Sequence, residues 1–146
     1  MNGIRRLYQR ARDDAGAAII EFALVAPLLL VLVWGIIETG RAFYTINTLA
    51  SAVRDGARYG AACDLGAYGT APVLTGTVCE AEIRNVVATA FQPLGPPLAT
   101  TNVTPTVVGG NRIRVEASYD YQPITPVANW RITITRAAVF RYERLP

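Results

Sequence analysis

The chain has 146 residues, a formal net charge of +3, two cysteines and no histidine. This length leaves room for one small domain beside a membrane helix. Without histidine, imidazole general-base chemistry and His-ligated metal sites are excluded, and so small a net charge is no signature of nucleic-acid binding. We therefore expect no metal, no cofactor, no nucleic-acid partner and no small-molecule substrate.

The first 16 residues form a polar, basic leader ahead of a long apolar stretch. Four arginines precede that stretch, and Arg41 is the first basic residue after it. Because basic residues concentrate on the cytoplasmic side of membrane helices, this bias predicts a cytoplasmic N-terminus and an exported C-terminal part. We expect the leader, residues 1–16, to contribute nothing to the fold. Its arginines are Arg5, Arg6, Arg10 and Arg12.

The apolar stretch predicts a single transmembrane helix over residues 17–38. From Phe22 to Ile37 the run is unbroken, and with the residues just before it the stretch reaches about 20 residues, the length that spans about 30 Å of hydrocarbon. Glu21 is its one charge before Ile37, and a carboxylate there is costly unless it is paired, neutralised or near the headgroups. Pro27 removes an N–H and should kink or loosen the helix. Both features predict helical neighbours.

These residues resemble a known family. One stretch, beginning at Gly16, reads GAAIIEFALVAPLLLVLVWGIIETGRAFYTINTLASAVRDGARYGA. It is similar to the TadE-like family, small pilin-like proteins of the bacterial tight-adherence (Flp, type IV) pilus; the resemblance is strong over about residues 13–62 and looser over the C-terminal third. It implies that a membrane-embedded prepilin peptidase cuts between Gly16 and Ala17. It also implies that Glu21, with Phe22 beside it, serves subunit assembly as the fifth residue of the mature chain.

The chemistry of such a cut can be argued from the residues. Cleavage frees the ammonium group of Ala17, and Glu21 of a neighbouring subunit could pair with it in a low-dielectric site, which would set the subunit register. Glycine before the cut lets an enzyme approach the backbone closely, because it has no side chain to clash. Alternatively, Glu21 simply lies at headgroup level in an uncleaved anchor. A conventional secretory signal peptide is not favoured, because its apolar core is only about 7 to 15 residues long.

The exported part, residues 39–146, is predicted to continue the same helix to about residue 62. Its apolar residues recur at helical spacing, and such a stripe must be buried against another element. Cys63 and Cys79 predict one disulfide across the loop 63–79, because the exported side is oxidising. Thr77-Val78-Cys79-Glu80 fits a capping box, so a second helix is expected over 78–91. The stripe comprises Ile46, Leu49, Ala50, Val53, Ala57 and Gly60.

The last third predicts three strands, over residues 103–108, 112–121 and 130–142. The first two form a hairpin, because Gly109-Gly110-Asn111 supplies the positive φ that a tight turn requires. In the middle strand apolar and polar residues alternate, so one face packs and the other is wet. In the last strand the alternation blurs at 136–139, which predicts a bulge or exposure of both faces. The fold class is therefore α+β: a long N-terminal transmembrane helix, a short second helix and a three-stranded antiparallel sheet.

Two functions follow from these elements. The resemblance implies a minor pilin-like subunit of a tight-adherence pilus, processed by a prepilin peptidase and acting with other pilin-like subunits in pilus assembly, initiation or surface adherence. The residues alone also allow an uncleaved, single-span envelope protein whose exported sheet binds a ligand or protein. Both place the chain in the bacterial inner membrane with its N-terminus in the cytoplasm. We assign no catalytic residue, because no nucleophile elbow, phosphate loop or metal-ligand cluster occurs in the sequence.

Overall fold

The computed structural model describes residues 2–63, 74–124 and 131–141, with side chains from residue 16 onward. The chain divides into two compact units, Met1–Thr39 and Gly40–Pro146. One long helix accounts for the described part of the first unit, and all the other elements belong to the second unit.

Helix α1 spans Asn2–Ala62. Its start at Asn2 corrects the expectation that the leader contributes nothing to the fold: the leader contains no proline, and arginine, alanine and leucine are good helix formers. Pro27 lies inside α1 without ending it, because a proline interrupts a helix only at the bond it cannot donate and at the preceding turn. The helix ends at Ala62, one residue before Cys63.

Helix α2 spans Val78–Ala90, and Phe91 closes it as the C-cap residue. Thr77 is the N-cap, with its Oγ1 accepting the N–H of Glu80 at 3.2 Å. The return half of the predicted capping box is displaced by one residue. Because the Thr77 N–H is already bonded to the Leu74 carbonyl, the Glu80 carboxylate accepts the N–H of Gly76 instead, at 2.7 Å.

Three antiparallel strands follow in the order β1-β2-β3. They span Val103–Val108, Arg112–Tyr121 and Ile132–Arg141. The predicted ends of the last strand, at residues 130 and 142, lie outside the described residues. Gly109 and Gly110 connect β1 to β2 with φ of +63° and +72°, values that residues with a Cβ rarely adopt. The architecture is the predicted α+β class.

The core of the second unit lies between α1, α2 and the sheet. The alternating residues of β2 all face it, as the sequence predicts. On α1 the buried face is shifted slightly from the predicted stripe: Ala52 and Gly56 are buried, whereas Ile46 and Ala50 are only half-buried. The shift has a steric cause, because the two glycines at 56 and 60 let α2 come close. A Cβ at Gly60 would lie 2.8 Å from Ile83 Cδ1 and 3.2 Å from Ile113 Cγ2.

Strand β3 is an edge strand that is largely exposed on both faces. Its register with β2 is continuous from Arg112 paired with Arg141 to Tyr121 paired with Ile132. The predicted bulge is therefore absent from this pairing, and exposure of both faces explains the blurred pattern. Ile134 is the one fully buried residue of β3, and Ala138 is half-buried.

Two links join α1 to α2. A disulfide connects Cys63, directly after α1, with Cys79 in the first turn of α2. Closing a loop of 16 residues stabilises a fold by about 3 kcal/mol in the chain-entropy model. The hydroxyl group of Tyr59 also donates to the Glu82 carboxylate, and this hydrogen bond raises the pKa of Tyr59.

Candidate processing and assembly site

Gly16 and Ala17, the residues on either side of the predicted cut, lie inside α1. Gly16 is half-buried and Ala17 is exposed. A Cβ added at Gly16 would meet no atom within 4 Å, so nothing in the described fold requires glycine there. Glycine does weaken a helix at this point, by roughly 1 kcal/mol relative to alanine. The peptide bond that follows it is therefore a place where α1 can unwind at comparatively low cost.

Glu21 and Phe22 project from the next turn and are both exposed; the Phe22 side chain is 73% exposed. Ala17 and Glu21 are separated by four positions, which places them on one face of a helix about 6 Å apart along its axis. A new ammonium group at Ala17 would thus lie near the carboxylate of its own chain as well as those of neighbours. The described residues bring the predicted processing pair and Glu21 together on neighbouring turns.

The helix surface around these residues is apolar and uncovered. Large apolar side chains are exposed along the whole segment up to Ile37. Within the described residues, α1 is the one helix long and apolar enough to cross a membrane. Such a surface is stable in lipid or against other apolar helices and unstable in water. The chain therefore fits a single-pass membrane protein.

A side-chain hydrogen bond to the helix backbone forms near the end of this segment. The Thr39 hydroxyl group donates to the Gly35 carbonyl at 2.8 Å, which is a common arrangement for threonine within an apolar helix. Glycines 35 and 40 have open space where a Cβ would be. This part of α1 can therefore accept a close neighbour without rearrangement.

The described residues contain little that indicates a metal site or a catalytic site. They contain no group of three or more His, Cys, Asp or Glu side chains placed to hold a metal ion. The two carboxylates of one predicted strand face, Glu116 and Asp120, are both engaged with neighbours: Glu116 is paired with Arg114 at 2.6 Å, and Asp120 accepts the Thr133 hydroxyl group at 2.8 Å. These are the contacts of a solvated sheet face.

The sequence did not predict the contacts of one residue of the second unit, Arg41. Its Nη2 donates to the Leu94 carbonyl at 2.8 Å, and its guanidinium carbon lies 5.8 Å from the centre of the Tyr121 ring. Both partners are more than 50 positions away in the sequence, so local patterns could not identify them.

Comparison with known proteins identifies the segment that carries these residues. The family model described as TadE-like protein matches residues 16–58. The match begins at the glycine of the predicted cut and covers the apolar segment of α1 and most of the remainder of that helix. No curated protein and no solved structure matches the chain. The resemblance stated from the sequence is confirmed over those residues, and TadE-like proteins are pilus-associated, structural proteins.

Proposed function

We propose that this chain, whose residues 16–58 are those of a TadE-like protein, is a minor pilin-like subunit of a bacterial tight-adherence pilus. A prepilin peptidase removes the leader after Gly16, and the mature subunit acts in pilus assembly, initiation or surface adherence. The observation that carries the proposal is the family match, which starts at Gly16 and includes the apolar segment of α1 whose large side chains are exposed up to Ile37. We assign no catalytic activity to the exported unit.

The proposal assigns the chain to the inner membrane, with the leader in the cytoplasm and the second unit exported. The arginine bias around the apolar segment supports this orientation. Its partners are the peptidase, other pilin-like subunits and the assembly machinery. In this arrangement the exposed apolar side chains of α1 are covered first by lipid and then by the helices of neighbouring subunits.

Glu21 has the assembly role in this proposal. After cleavage, its carboxylate pairs with the ammonium group of Ala17 on a neighbouring subunit, in surroundings where either ion alone would be expensive. The ammonium of the same chain, four positions away, competes for that carboxylate. When helices bundle, they remove the water that would otherwise solvate unpaired groups, so each ammonium and each carboxylate needs an ionic partner.

Processing is tested by the intact mass and N-terminal sequence of the full chain, recovered from membranes of cells with and without a prepilin peptidase. We expect a peptidase-dependent N-terminus at Ala17. Gly16→Ala should abolish the cut, whereas the matched change Gly35→Ala in the same helix should leave it intact. Neither new Cβ meets an atom within 4 Å, so a loss of cleavage reports the enzyme's requirement rather than a damaged fold.

One result would count against processing, and another would count against the role of Gly16 in it. If the chain begins at Met1 in both strains, the glycine and Glu21 are incidental, and the envelope binding module becomes the better reading. If Gly16→Ala is cut as efficiently as the wild type, the peptidase does not depend on this glycine.

Assembly is tested by Glu21→Gln and Glu21→Asp in cells that process the chain. Removing one charge-assisted hydrogen bond costs about 2 kcal/mol, which corresponds to roughly 30-fold weaker subunit association. We expect Glu21→Gln to lose most surface pili while its mature mass and thermal unfolding are unchanged, and Glu21→Asp to retain part of them. Normal piliation by Glu21→Gln, measured in sheared surface fractions, would show that the proposed ion pair is not needed.

A further inference from the structure

An uncharged, proline-rich loop and the segment that follows β2 lie in the second unit, and each exposes a large aliphatic side chain. The first is the loop 92–97, in which Leu94 is 56% exposed; the second follows β2, and its Ile124 is 55% exposed. No charged residue occurs from residue 85 to residue 111, or from 121 to 130. Exposed apolar residues mark an interaction surface when they lie together in one patch.

Arg41 brings both segments to one end of the unit. It donates to the Leu94 carbonyl and lies against the ring of Tyr121, three residues before Ile124. Phe43, two residues further along α1, is 61% exposed. The opposite end of the unit differs: there Gly60 approaches Ile113, and β2 begins with arginine.

Several backbone groups of the loop 92–97 need no hydrogen-bond partner from water. Three of its six residues are prolines, at 93, 96 and 97, and so offer no N–H group that would need a partner. Two of its carbonyls are already bonded within the protein: Leu94 accepts from Arg41, and Pro96 accepts the Tyr119 hydroxyl group at 3.0 Å. Unpaired backbone groups are what normally exclude irregular chain from lipid.

The position of Arg41 in the chain identifies the partner. It follows Ile37, the last residue of the apolar run, by four positions, and four residues of chain reach at most about 14 Å. Leu94, whose carbonyl is bonded to Arg41, is therefore tethered within a short length of chain of the end of the apolar run. Arg131, near this end of the sheet, suits an anionic headgroup layer, and the Asp120 carboxylate accepts the Thr133 hydroxyl group.

We propose that the loop 92–97 and Ile124 form a membrane-contact surface, with which the exported unit rests on the phospholipid bilayer that α1 crosses. This inference rests on the membrane anchorage in the proposed function, but not on cleavage or on pilus assembly. Leu94 and Ile124 enter the interfacial layer, and Arg41 holds the two segments at that depth. Withdrawal of the subunit from the membrane into a fibre would have to break this contact.

The test uses the full chain in vesicles of phosphatidylethanolamine and phosphatidylglycerol. Both native cysteines are in the disulfide, so Leu94→Cys supplies a single thiol for an environment-sensitive fluorophore. Ile124→Cys is a second contact site. Val108→Cys is the matched control, because Val108 is also an exposed aliphatic residue but ends β1 beside the Gly109 turn, at the opposite end of the unit.

We expect the dye at 94 and at 124 to emit at a shorter wavelength than the dye at 108. A lipid with a shallow spin label should quench the emission at 94 and at 124 but not the emission at 108. Equal, water-like emission at 94 and 108 would overturn the proposal. So would a shifted emission at 94 that the spin-labelled lipid does not quench and that increases with protein density, because a neighbouring subunit would then occupy the surface.

Vesicle flotation in the same samples separates this inference from the proposed function. A chain that floats with the vesicles while its dye at 94 stays in water is anchored but lacks the contact, so only this inference fails. A chain that does not float is not anchored, and both fail. Retention of the native disulfide in each labelled variant, measured by thiol titration before labelling, verifies that the fold is intact.

Discussion

Gly56 is the residue at which α1 and α2 approach each other most tightly among the described glycines. A Cβ built on Gly56 would overlap Cγ2 of Val87, a fully buried side chain of α2. Valine is stiff at χ1, because both of its methyl groups branch from Cβ. The neighbour therefore cannot move aside cheaply, and glycine at 56 is a packing requirement.

We predict that Gly56→Ala lowers the free energy of unfolding of the second unit. Overpacking of this kind costs about 1–3 kcal/mol, against which the better helix propensity of alanine returns at most about 1 kcal/mol. Gly40→Ala, where the new Cβ meets nothing within 4 Å, is the matched control and should be neutral or slightly stabilising. The measurement is thermal unfolding of the full chain in detergent micelles.

A double variant makes this prediction sharper. If the cost of Gly56→Ala arises from Val87, then Gly56→Ala combined with Val87→Ala should lose less stability than the sum of the two single changes. Strict additivity would locate the cost elsewhere, and a neutral Gly56→Ala would show that α2 can shift away from α1.

At the scale of elements, the sequence predicted what local patterns determine. The alternation along β2 fixed which residues face the core, and Thr77 with Glu80 marked the start of α2. What it could not predict depends on distant partners. The exposure of most β3 residues depends on which elements pack against that strand. The contacts of Arg41 depend on where the fold places residues 94 and 121.

The candidate site shows the same division. Composition and length were enough to find the apolar helix, and the resemblance to the TadE-like family pointed to Gly16 and Glu21. The helical state of the leader was missed, because arginine-rich segments read equally well as a polar tail. The prolines at 93, 96 and 97 indicate a linker after α2, but proline content says nothing about which end of the domain that linker reaches.

The start of α2 carries a prediction on pH dependence. Glu80 accepts from the Arg84 guanidinium group at 2.7 Å and from the Gly76 N–H, and these bonds, with that of Arg84 the larger, hold the pKa of Glu80 below its ordinary value of 4.5. A carboxylate with a lowered folded pKa contributes stability that is fully present above the unfolded pKa. That contribution is lost as the pH falls through the folded value.

We therefore expect the melting temperature of the wild type to fall below about pH 4.5 more steeply than that of Glu80→Gln. At neutral pH Glu80→Gln should be the less stable protein, and the two curves should converge in acid. Arg84→Gln removes the larger of the two causes and should weaken the same pH dependence in part. Parallel curves for wild type and Glu80→Gln between pH 3 and 7 would contradict the linkage.

At the scale of the whole molecule, the two units solve different problems. All the buried side chains of the described chain, from Thr45 to Ile134, belong to Gly40–Pro146. The apolar side chains of Met1–Thr39 that the structure describes are exposed and await lipid or neighbouring helices. The core, the disulfide and the sheet are thus complete without the first unit, which predicts that folding of the second unit and insertion of the first are separable.

We predict that a chain beginning at Gly40 is water-soluble, forms the Cys63–Cys79 disulfide and unfolds cooperatively, with a melting temperature close to that of the full chain in micelles. Arg41→Met in this shortened chain should lower the free energy of unfolding by about 1–2 kcal/mol, because it removes a charge-assisted hydrogen bond to Leu94 and a cation–π contact with Tyr121. For a domain of this size that is a fall of several degrees. A shortened chain that aggregates or unfolds without cooperativity would mean that the second unit depends on the apolar helix for its fold. The assembly defect expected for Glu21→Gln could then no longer be separated from folding.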